Sequence, residues 1–62
     1  MLEQKIIDQI MAVRETGRTN MFDIRMVAQV AADLGHQELV EFLKPRANRE
    51  VYCHFILTGE VR

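Results

Sequence analysis

The stretch Arg49-Glu50-Val51-Tyr52-Cys53-His54-Phe55-Ile56-Leu57-Thr58 decides the fold class. Val51, Tyr52, Cys53, Phe55 and Ile56 all suit a strand by propensity. Their spacing argues the other way: Val51 and Phe55 stand four apart, as do Tyr52 and Ile56, and Glu50 can pair with His54 at i,i+4. A strand here would also need a mate that no other segment supplies, unless two copies paired edge to edge. The spacing therefore predicts a helix over 49–58, with Gly59 placed where a left-handed cap would end it.

Upstream, Lys44-Pro45-Arg46-Ala47-Asn48 reads as a short basic loop, because proline disfavours helical geometry at the residue before it; Asn48 is placed to cap the last helix. Before the loop, Leu39, Val40 and Leu43 form an apolar stripe against Glu38, Glu41 and Lys44, which predicts a two-turn helix over 37–44. Gly35 stops the preceding helix, predicted over 21–34 from the stripe Ile24, Val27, Ala31 and Leu34, with Arg25, Gln29 and Asp33 as its solvent row. Asn20 is the N-cap candidate for that helix, with Thr19 as its substitute and Asp23 able to complete a capping box. Ile6, Ile10 and Val13 predict a first helix over 2–16, with Gln4, Lys5, Asp8, Gln9 and Glu15 on its polar face and Gly17 as its cap. The expectation is one all-α domain over residues 1–62, a small bundle of three to four short helices.

Sixty-two residues bury only about 60% of the surface the unfolded chain exposes, and a core of that size rarely supplies more than about 3–5 kcal/mol. Cys53 is the only cysteine, which excludes an internal disulfide, and Cys53, His36 and His54 show no metal-ligand spacing, so neither metal nor cofactor is expected. Self-association or a larger partner is the remaining support, a dimer being the favoured oligomer. The apolar content of 48% agrees, since it is too high for a disordered chain and leaves apolar surface over after folding. No signal or membrane-spanning segment is expected, and a lone thiol fits a reducing cytoplasm. Eight basic against nine acidic residues, a net charge of −1, gives no global electrostatic case for nucleic acid or an anionic membrane.

The segment Ala31–Leu43 resembles the inter-helix turn and second helix of an ankyrin repeat. The first-helix signature is missing, however, its places being held by Met26, Val27, Ala28 and Gln29, and one repeat cannot bury its own faces. A DNA-reading helix-turn-helix is disfavoured because 37–43 carries two glutamates and no arginine. Lys44, Arg46 and Arg49 read as solvated charge around a proline. Cys53 beside His54 does not make a nucleophile and base, because adjacent helical residues point about 100° apart. A chain this small rarely encloses a catalytic pocket, so no enzyme is expected.

The residues left over lie around the first turn, Gly17-Arg18-Thr19-Asn20-Met21-Phe22-Asp23. Gly17, Asn20, Asp23 and Gly35 have structural turn roles. Arg14, Arg18, Thr19, Met21, Phe22 and Arg25 are the candidate protein-binding residues, because arginine, methionine and aromatics are enriched where proteins meet. Phe22 has two possible fates, packed inward or offered to a partner.

The block Arg14-Glu15-Thr16-Gly17-Arg18-Thr19-Asn20-Met21-Phe22-Asp23, together with Phe55-Ile56-Leu57-Thr58-Gly59-Glu60, resembles an uncharacterised domain-of-unknown-function family of short phage and prophage proteins. The chain departs from that pattern at Lys44–Arg49, which includes Pro45. The resemblance implies a phage-borne protein working in the bacterial cytoplasm and brings no activity with it. The expected function is a protein-binding module that occupies the surface of a host protein, as an inhibitor of an antiviral defence enzyme. The alternatives are a nucleic-acid-binding regulator using Arg14, Arg18, Arg25 or the basic loop, and a structural phage component.

Overall fold

A computed structural model describes residues 2–59. Four helices follow one another: α1 Gln4–Thr16, α2 Ile24–Asp33, α3 Gln37–Phe42 and α4 Arg46–Thr58. The described residues contain no strand, so the fold is all-α and 49–58 is helical. None of these helices is long and apolar enough to cross a membrane. Glu60, the last residue of the C-terminal block, lies outside the described residues.

The stripe of α1 is buried as its spacing predicts, with Ile10 and Val13 almost wholly covered and Ile6 beside them. The helix begins at Gln4 instead of residue 2, yet Leu2 is buried in extended chain just before it. Gln9 departs from expectation. The sequence pattern puts it on the polar face, but it sits three residues after Ile6 and four before Val13, inside the stripe, and is 7% exposed.

In α2 the buried residues are Val27, Val30 and Ala31. Ile24 is half-buried, and Leu34, expected in the stripe, is exposed, because the helix ends at Asp33 and Leu34 has already left its face. Gly35 (φ 81°) then reverses the chain. The N–H of His36 donates to the Ala31 carbonyl (2.8 Å) and that of Gly35 to Ala32 (3.0 Å), the paired bonds of a Schellman turn. The turn drops Leu39 and Leu43 into the core beside Val27 and Val30.

The third connection corrects the predicted loop. α3 ends at Phe42, and α4 starts at Arg46, three residues earlier than predicted, with Pro45 instead of Asn48 at the N-cap. Proline has no N–H to satisfy at that position, and its carbonyl accepts from the N–H groups of Asn48 and Arg49. The Arg49 side chain reaches back, Nε to the Leu43 carbonyl and Nη2 to that of Lys44, both at 2.9 Å. Arg49 thus closes the end of α3, which corrects its reading as solvated charge to a structural role. Within α4 only Tyr52 is buried, inserted into the cluster formed by the other three helices.

Candidate protein-binding surface

The site is built on the turn between α1 and α2. Gly17 (φ 64°) ends α1, its N–H donating to the Arg14 carbonyl. A side chain bearing a Cβ would strain that backbone. Asn20 does not cap α2: its Oδ1 accepts from the Phe22 N–H (2.8 Å) and its carbonyl from the Asp23 N–H (2.9 Å), a local turn that competes with helix. α2 therefore starts at Ile24 and not at residue 21. Asp23 is the N-cap, its Oδ1 accepting from the Met26 N–H at 3.3 Å. The Met21 carbonyl, at the middle of the turn, accepts from Tyr52 Oη at 2.6 Å. Burial, and secondarily the neighbouring Cys53, pushes the phenol of Tyr52 well above its ordinary range, which keeps that donor protonated.

These ties fix which side chains face outward. Met21 is half-buried and packs against the core, which leaves less of it than of Phe22 to face a partner. Phe22 points the other way and is 51% exposed. One turn further on, Met26 is 43% exposed. Arg25 lies between them in sequence and is exposed, and a shallow depression of about 390 Å³ is lined by Asp23, Arg25, Met26 and Gln29. The surface thus combines a large aromatic, a thioether and a guanidinium on a backbone held by side-chain hydrogen bonds. Pre-set apolar and arginine groups of this kind lower the ordering cost of binding.

The other candidates have different places. Arg18 Nη2 pairs with Asp33 Oδ2 at 3.0 Å, while Gln29 Nε2 donates to Asp33 Oδ1 (3.2 Å), so Arg18 ties the turn to the end of α2. Thr19 is half-buried and its hydroxyl donates to the Asn20 carbonyl. Arg14 is exposed on the last turn of α1, and no polar contact joins it to Phe22 or Arg25 among the described residues. Arg25 and Met26 are therefore brought together in one depression, with Phe22 exposed on the turn that leads into it. Met26 was missed, although its place outside the stripe Ile24, Val27 and Ala31, an apolar side chain on the solvent side of α2, is the signal that would have found it.

A second tie also escaped the sequence. Gln9 Oε1 accepts from the buried Leu39 N–H (2.9 Å), and its Nε2 donates to Glu38 Oε1 (2.9 Å). Lys5 Nζ stands 3.1 Å from Glu38 Oε2. The amide of α1 so caps the start of α3, a helix without a side-chain cap of its own from His36. Glu38 is held down to about 2 by the Gln9 hydrogen bond first, then by a backbone N–H and Lys5.

Among the described residues no group of three or more His, Cys, Asp or Glu is placed to hold a metal ion. Cys53 and His54 are half-buried neighbours on α4. Compared with known proteins, the chain matches no curated protein and no solved structure. A family model described as a domain of unknown function, DUF5049, matches residues 2–60. That span takes in all four helices, the turn and the exposed Phe22–Met26 surface, and the chain belongs to the DUF5049 family.

Proposed function

We propose that this chain is a small phage-type protein-binding module which inhibits a host antiviral defence enzyme in the bacterial cytoplasm by occupying part of its surface. It carries out no chemistry of its own. The observation that supports this reading is the exposure of Phe22 and Met26 beside Arg25 on a turn whose backbone is tied by Asn20, Asp23 and Tyr52. Two large apolar side chains kept outward on a rigid turn, in a chain short of core, are better explained by a partner than by folding. The nucleic-acid reading has less support: the net charge is −1, and the α3 helix beside the basic stretch carries Glu38 and Glu41, which would repel phosphate.

The test is capture of a host protein by the tagged chain, paired with phage growth in the presence and absence of the chain. The wild type is expected to retain one host enzyme in stoichiometric amount and to restore growth on a defended host. The Phe22→Ser/Met26→Ser variant should keep its helical spectrum and lose both. A double variant indistinguishable from wild type in capture and growth would sink the proposal.

A further inference from the structure

A second concavity lies on the other side of Arg25, a groove of about 570 Å³ between α2, α3 and the start of α4. Ile24, Ala28, Val40 and Leu43 form its apolar lining, and Arg25, Lys44 and Arg49 its charged part. We propose that this groove receives an acidic amphipathic segment of a partner protein, with apolar side chains on the floor and carboxylates against the cations. The proposal rests on the binding-module reading and names the chemistry of the partner.

Charge complementarity carries it. The chain as a whole is slightly acidic, at −1, yet three of its eight cations converge on this one apolar trough. The adjacent acid is Glu41, bonded to Lys44 and Gln37; it offsets one cation and leaves the groove positive. The Arg49 guanidinium is oriented in advance by its bonds to the carbonyls of Leu43 and Lys44. Those bonds use two of its five N–H donors, and the others remain for a carboxylate. Arg25 is exposed and belongs both to the groove and to the Met26 depression. An occupant lying along the groove therefore continues past Arg25 to Met26, its carboxylates kept to the groove side because Asp23 lines the depression, a span that suits a peptide segment better than a small amphiphilic anion.

The test is selection from a random peptide display library on the immobilised full chain, followed by affinity measurement with the enriched peptides made synthetically. Selected peptides should alternate Asp or Glu with Leu, Ile or Phe at helical spacing and bind more weakly as salt is raised. Arg25→Glu and Lys44→Glu should each weaken binding about tenfold while the thermal melt followed by circular dichroism stays in place. Should one of the two variants misfold, the other serves alone. Failure to enrich acidic amphipathic peptides, affinities that ignore both charge reversals, or tighter binding of a duplex oligonucleotide with the same sensitivity would each overturn the proposal. Host-protein capture that Phe22→Ser/Met26→Ser abolishes and Lys44→Glu leaves intact would overturn the groove and keep the binding module.

Discussion

Gln9 does more for this fold than its place on an amphipathic helix announces. One amide satisfies a buried backbone N–H at Leu39 and holds the Glu38 carboxylate, joining α1 to the first turn of α3. Gln9→Ala should lower unfolding stability by about 1–3 kcal/mol, because Leu39 N–H would be left buried without an acceptor. Denaturant melts would check this, and an unchanged midpoint would refute it. The same tie has a pH signature. The pKa of Glu38 is lowered on folding to about 2, so the stabilisation from its ionised form is complete above the ordinary glutamate value of about 4.3 and is lost as pH falls from there through about 2. Gln9→Ala removes the largest cause of that lowering and should flatten the acid limb of the stability curve; an acid limb identical to wild type would show that Gln9 does not set it.

The elements were legible where apolar spacing alone decides. Ile6, Ile10 and Val13, then Val27 and Ala31, then Leu39 and Leu43 are all buried as their periodicity requires. Boundaries were less legible, because they depend on which of several polar residues wins the backbone. At the start of α2, Asn20 and Asp23 both suit a cap, and Asn20 folds back on Phe22 N–H, so Asp23 takes the helix. At the start of α4, Pro45 supplies its carbonyl, and Arg49 covers α3 from beyond the proline, a contact between neighbouring elements that no periodicity encodes. The candidate site was half legible for the same reason. Phe22 and Arg25 could be named from composition, while the tie that holds the backbone at Met21 comes from Tyr52, 31 residues away. Asp23→Ala should cost about 1 kcal/mol and loosen the turn. Asn20→Ala should leave the start of α2 where it is, and amide exchange at Met26 distinguishes the two. Faster exchange at Met26 in the Asn20 variant than in the Asp23 variant would reverse the assignment of the cap.

At the scale of the molecule, the core consists of Leu2 and the buried stripes of three helices, with one tyrosine inserted from the fourth. Phe22, Met26, Met11, Leu34 and Leu57 remain outside it. That distribution suits a chain that completes its apolar burial against another surface, its own or a partner's. Light scattering after size exclusion should give a dimer at high concentration. Large assemblies would favour a structural phage component, and a monomer at every concentration would remove self-association. Tyr52 has one more consequence. The chain has a single tyrosine and no tryptophan, so its long-wavelength tyrosine band reports one place, where α4 meets the turn. The phenol is raised on folding, and its neutral form stabilises the fold fully below the ordinary tyrosine value of about 10, a contribution lost as pH rises beyond it. In alkali the tyrosinate band should therefore emerge together with loss of helix, and a band that rose while the helical signal held would mean that α4 can leave the turn alone. The molecule contains its own optical gauge of whether the Phe22 surface is still braced from behind.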